Sequence, residues 1–140
     1  YYKAKLRQLR EQKARQRMMQ AVPEADVVIT NPTHYAVALK YDGGNMRAPK
    51  VVAKGVDELA LRIREVATLH RVALVEAPPL ARVLYREGEI GQEIPVKLYA
   101  AVAQVLSYVY QLRNWRAGTP QPQLADIEVD EADGARGAPR

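Results

Sequence analysis

The sequence predicts an α/β (α+β) domain: a four-stranded mixed sheet flanked by four helices, the first of them an extended basic helix. Three observations carry this. Short runs rich in Val, Ile and Tyr alternate with stretches whose apolar residues recur every three or four positions. Turn chemistry separates the runs at Asn31–His34, at Asp42–Asn45 and again across Glu89–Pro95. The order is helix, three strands, helix, strand, helix, helix, which implies a mixed sheet, and 140 residues that are 48% hydrophobic suffice for one core.

Residues 2–20 are built from good helix formers, Lys, Arg, Gln, Leu and Ala, with only a thin apolar stripe of Leu6, Leu9, Met18 and Met19, so this helix is expected to be mostly solvated. Pro23-Glu24 breaks it. Asp26–Thr30 reads as a buried strand and Tyr35–Tyr41 as a second, with Asn31-Pro32-Thr33-His34 as the turn between them. Asp42-Gly43-Gly44-Asn45 is a turn, because glycine accepts positive φ. Lys50–Lys54 makes a third strand closed by Gly55. From Asp57 to His70, Leu59, Ile63, Val66 and Ala67 form one face of an amphipathic helix, with Asp57 as its expected cap and His70 expected to meet its last carbonyls. Val72–Glu76 is the fourth strand. Pro78-Pro79 opens a short helix through Leu80, Val83 and Leu84 that stops near Gly88. The longest apolar helical face, Leu98, Val102, Val105, Leu106, Val109 and Leu112, lies within Val96–Trp115 and is expected to pack on the sheet. The organisation is a basic juxtamembrane linker helix (1–22), a domain (23–116) and an acidic, proline-containing tail (117–140) whose composition argues for disorder.

Composition removes several classes of function. There is no cysteine, hence no disulfide, thiolate metal site or thiol catalysis. Ser107 is the only serine, set in a helical pattern, and His34 and His70 are the only histidines, which leaves little material for a serine triad. No cofactor and no metal are expected. The net charge of +5 is unevenly spread: Lys3, Lys5, Arg7, Arg10, Lys13, Arg15 and Arg17 crowd the first helix, while Asp126, Glu128, Asp130, Glu131 and Asp133 mark the tail. No reader motif or stacking platform accompanies the basic helix, so a nucleic-acid module is a remote alternative to a helix facing anionic lipid, and a merely solvated face is the third. No run of about 18 apolar residues is present. Opening on Tyr1-Tyr2-Lys3, the chain reads as a piece of something longer, and a basic stretch directly after a membrane segment obeys the positive-inside rule.

Asn31-Pro32 carries the most specific chemistry. Proline has no N–H, which closes the usual attack of the following backbone nitrogen on the asparagine side chain. The reverse attack stays open: the Asn31 side-chain amide can add to its own main-chain carbonyl, form a succinimide and expel Pro32 as a new amino terminus. An ordinary turn is the alternative. The flanking strands favour the reactive reading, since Pro32 biases Asn31 away from the α region and a fixed backbone aims the amide. His34 is a candidate proton carrier or, equally, a structural hydrogen-bonding group; Thr33 is read as a turn stabiliser through its hydroxyl.

Asp26–Thr30, the Asn31-Pro32-Thr33-His34 motif and Tyr35–Leu39 resemble the FlhB/YscU family, as do Ala48–Gly55 and Ala77–Arg82, so that the similarity covers roughly residues 1–116. Glu89–Pro95 and Leu98–Ala103 look like its flagellar branch. The resemblance implies a cytoplasmic domain following a membrane-embedded part in the bacterial inner membrane, self-cleavage between Asn31 and Pro32, and a change of export specificity from rod and hook to filament subunits. The implied partners are export gate components of the flagellar apparatus, rod and hook substrates and a hook-length control protein. An apolar patch that receives a segment of early substrates corresponds to Ala48, Pro49, Ala103 and Leu106, for which plain sheet–helix packing is the other reading. A scaffold module of the same machine that stays uncut is the rival function.

Overall fold

A computed structural model describes residues 1–132 of the chain. In it the helix α1 (Tyr2–Ala21) leads through a 3-10 turn (Val22–Glu24) into β1 (Val27–Asn31), which turns back as β2 (Tyr35–Lys40) and is followed by β3 (Lys50–Val56), α2 (Asp57–Leu69), β4 (Ala73–Glu76), α3 (Pro78–Glu87), a second 3-10 turn (Val96–Leu98) and α4 (Tyr99–Arg113). The sheet order is β3-β2-β1-β4. β1 is antiparallel to β2 and parallel to β4, with α2 as the crossover that a parallel pair requires. The expected mixed sheet with four helices is the one observed.

The apolar runs form strands because both faces of the sheet are covered. Successive side chains point to opposite faces, so Val27, Ile29, Val37, Leu39 and Val51 enter one core with α3 and α4. Val28, Ala36, Ala38 and Ala53 enter the other, with Ala60, Ile63 and Ala67 of α2 and with Met18 and Val22. α1 contributes only its last turn to that core. Every residue from Tyr1 to Arg17 is exposed, in keeping with its weak apolar stripe.

Several details differ from the sequence expectation. Asp57 does not cap α2: Val56 occupies that place, and Asp57 is the first helical residue, in the left-handed region at φ 50°. Gly55 lies inside β3, where it pairs with Ala36. The Glu89–Pro95 loop does more than connect, because Gln92 O accepts Val51 N–H at 3.0 Å and Val51 O accepts Gly91 N–H at 2.7 Å, which covers the outer edge of β3. The last helix opens with the 3-10 turn and ends before Trp115. The tail is corrected in part. From 120 to 131 it has no regular secondary structure, as its prolines and acids suggest, yet it lies on the domain, with Ile127 only 8% exposed and Leu124 and Val129 packed beside it. Apolar contact outweighs composition there, and residues 133–140 lie outside the described part.

Candidate functional site

Asn31 is the last residue of β1 and pairs with Tyr35, the first of β2, so Pro32, Thr33 and His34 form a tight reversal between two central strands. The turn is closed by a backbone hydrogen bond: His34 N–H donates to Asn31 O at 2.9 Å. The acceptor is the carbonyl oxygen of the Asn31-Pro32 bond itself. A donor in this place polarises the carbonyl and stabilises the negative charge that nucleophilic addition would put on its oxygen. The Thr33 hydroxyl, expected to steady the turn, makes no hydrogen bond among the described residues; the backbone closes it instead.

His34 is fixed from its other side as well. Its carbonyl accepts the N–H of Asp57 at 3.0 Å, which is the contact that the left-handed conformation of Asp57 serves. Asp tolerates this conformation better than most residues. The carboxylate of Asp57 also stands 3.8 Å from Nδ1 of His34, though both side chains are largely exposed. Next to the turn, the Tyr35 ring packs on Tyr85 of α3 with centroids 5.1 Å apart. Lys54 lies over the Tyr85 ring and donates to Tyr85 O at 3.0 Å and Gly88 O at 2.7 Å, closing the end of α3. His70 is remote in role: its backbone N–H, donated to Val66 O at 3.1 Å, ends α2.

Ala48, Pro49, Ala103 and Leu106 come together in one apolar depression of about 950 Å³, although they lie on a loop and a helix far apart in sequence. Ala48 and Leu106 are nearly buried, Pro49 half-buried and Ala103 exposed. Tyr41, Tyr99, Tyr110 and Trp115 ring the depression, and Thr119–Pro122 of the tail form one wall. These aromatics escaped sequence reasoning, yet a signal existed, since Tyr99, Ala103, Leu106 and Tyr110 recur at four, three and four residues and so share one helix face. Burial, with the charge of Asp26 adding to it, holds the Tyr110 phenol above its ordinary range. Asp26 in turn accepts Tyr41 N–H at 2.7 Å. The turn and the depression sit at opposite ends of β2, separated by about 20 Å of extended chain.

Among the described residues no cluster of His, Asp or Glu could hold a metal ion, and no helix is long and apolar enough to cross a membrane.

A family model described as the FlhB HrpN YscU SpaS Family matches residues 1–109. Flagellar biosynthetic protein FlhB of Salmonella typhimurium (strain LT2) is 58% identical over 134 residues, covering 94% of this chain and 35% of that protein. Flagellar biosynthetic protein FlhB of Bacillus subtilis (strain 168) is 54% identical over 112 residues, covering 80% of this chain and 31% of that protein. The chain thus spans about a third of the length of the curated relatives it matches. Among solved structures, the cytoplasmic domain of FlhB from Shewanella putrefaciens superposes with a TM-score of 0.70 at 51% identity, over 77% of this chain and 87% of that one. A mutated EscU C-terminal domain gives 0.62 at 33% identity, over 64% and 90%.

Proposed function

The chain belongs to the FlhB HrpN YscU SpaS family, and from that premise we propose that it is the cytoplasmic, self-cleaving domain of a flagellar type III export component that changes substrate class once it is cut. The cut falls between Asn31 and Pro32. The Asn31 side-chain nitrogen attacks the Asn31 main-chain carbon, the carbonyl oxygen takes up charge against His34 N–H, and the ring closes as a succinimide. The bond to Pro32 then breaks, and the proton given up by the amide is matched by one gained at the Pro32 nitrogen. His34 is the candidate carrier of that proton, and the succinimide is opened later by water. One observation carries this reading above the rest: the oxygen of the bond to be cut is the acceptor of the turn's own hydrogen bond. The chain acts on itself once and does not turn over.

The depression around Ala48, Pro49, Ala103 and Leu106 is the proposed seat for an apolar segment of rod and hook substrates, its tyrosines offering large contact area at low entropic cost. Export gate components and a hook-length control protein are the remaining proposed partners. The seven cations on the first 17 residues support a proposed position of α1 beside anionic lipid on the cytoplasmic side of the bacterial inner membrane, following a membrane-embedded part, as a linker separate from the domain of 23–116. Since about 20 Å of strand separates turn and depression, cleavage acts on substrate choice through the sheet or through the freed ends and not by direct contact.

Intact mass under denaturing conditions tests the central step. Two species dividing after Asn31 are expected from the wild-type chain, a single species from Asn31→Ala, and slower division from His34→Ala. Division of Asn31→Ala at the same bond would overturn cyclisation. A single wild-type species favours the second reading, an uncut scaffold of the same machine, which the 66% exposure of the His34 side chain supports because an exposed imidazole is loosely aimed.

A further inference from the structure

Beyond α4 the chain runs back across the molecule and ends its described course on α3. Its exposure alternates as in an extended peptide in two short runs, Pro122 and Leu124 half-buried around exposed Gln123, then Ile127 buried and Val129 half-buried around exposed Glu128, with a step between them where Ala125 and Asp126 are both exposed. Ile127 enters the core that α3 and α4 share. Among the described residues no strand pairs with this segment. Cationic side chains from two separate places hold it instead. Arg82 Nε donates to Glu131 Oε1 at 2.9 Å, Arg86 Nη2 donates to Glu131 O at 2.6 Å, and Lys97 Nζ donates to Ala132 O at 2.8 Å. The two clamps on carbonyls are arranged in advance, since the well-shielded carboxylate of Glu87 binds Lys97 at 2.8 Å and Arg86 at 3.3 Å.

We propose that the face formed by α3 and Lys97 is a peptide-docking groove for an extended apolar and acidic segment, and that the chain's own residues 124–132 are its detachable occupant. The recognition elements are few and separable. An apolar socket takes Ile127, the Arg82 guanidinium selects a carboxylate four residues further on, and the clamps on Glu131 and Ala132 carbonyls read backbone alone, so any extended chain satisfies them. A short Thr-Pro-Gln-Pro-Gln connector, residues 119–123, tethers the occupant and makes docking intramolecular, which raises its effective concentration to roughly the millimolar range. The contacts at the far end are one exposed ion pair, Arg82–Glu131, and two exposed hydrogen bonds from cations to carbonyls, which salt and competitors weaken. Detachment also matters beyond α3. Thr119–Pro122 wall the apolar depression, so a strap that lifts opens the groove and loosens that wall together.

Backbone 15N relaxation on the full chain tests this. Amides of 124–132 are expected to show order parameters near ~0.85 in the wild type and below ~0.6 in Arg82→Glu and in Ile127→Asp. The reciprocal pair Arg82→Glu with Glu131→Arg is expected to recover order that the single reversal loses. In Ile127→Asp, an unlabelled peptide of residues 119–132 at millimolar concentration is expected to shift the amides of Arg82, Arg86 and Lys97. A strap already mobile in the wild type overturns the proposal. So does a strap that stays rigid in both variants, or a freed groove that ignores the peptide.

Discussion

At φ 50°, Asp57 holds a conformation that costs a residue without Asp's local hydrogen bonding about 1 kcal/mol, and it does so to donate its N–H to His34 O. Asp57→Gly is therefore expected to leave stability nearly unchanged, while Asp57→Ala lowers it by about 1 kcal/mol, read from urea unfolding in the uncleavable Asn31→Ala background. Gly88 presents a different constraint. Its φ is ordinary, but an added Cβ would lie 2.6 Å from Leu84 O and 2.9 Å from Val51 Cγ2. Backbone cannot step aside as a side chain can, so Gly88→Ala is expected to cost about 2 kcal/mol by the same measurement. The Asn31–His34 turn was legible in the sequence because its signal is local, and the proposed nucleophile, carbonyl, leaving group and proton carrier would all sit within its four positions. Asp57 was not, since an Asp before an amphipathic run reads as a helix cap.

Among the elements, α1 and the strap stand at opposite ends of a scale of attachment. α1 exposes every residue to Arg17, so deleting residues 1–14 is expected to move the thermal midpoint by no more than about 3 °C. The strap is held by charge at its end and is expected to respond to pH. The hydrogen bond from Arg82 holds the Glu131 carboxyl below the usual range against the opposing effect of partial burial, with the charges of Arg82 and Arg86 adding to it; Lys97 and Asp130 stand nearby and Glu87 lies behind the cations. A carboxyl that binds its proton less tightly when docked favours docking above its free value, and that contribution is lost as pH falls through the lowered one. Order in residues 124–132 is therefore expected to persist at neutral pH and to fall in acid below roughly pH 4, with Glu131→Gln removing most of this dependence. The strands and amphipathic helices could be read from periodicity, because Val27–Ile29 and Tyr35–Leu39 are apolar on both faces and Ile63 and Ala67 on one. The docked strap could not. Ile127 and Val129 are lone apolar residues in an acidic stretch, and only the socket on α3 gives them meaning.

For the molecule as a whole, the sheet order makes β1 an interior strand, flanked by β2 and β4. If the chain is cut after Asn31 as proposed, the described parts of the two pieces are expected to remain one fold, because the ladders on both sides of β1 do not pass through the severed bond. They are expected to co-purify in native buffer and to part only in denaturant. Unfolding of the cut form then becomes an association equilibrium. Tenfold dilution is expected to lower its apparent stability by about 1.4 kcal/mol, whereas the Asn31→Ala chain shows no such dependence when unfolding is followed by fluorescence of Trp115. The position of β1 has a mechanical side too. A pull on α1 drags β1 along its own axis, in shear, so the hydrogen bonds to both neighbours bear the load together and do not open one after another like a zip. A chain severed as proposed would be a lap joint: the cut would free the loop ends to move, while tension between the basic helix and the domain would still pass through the sheet.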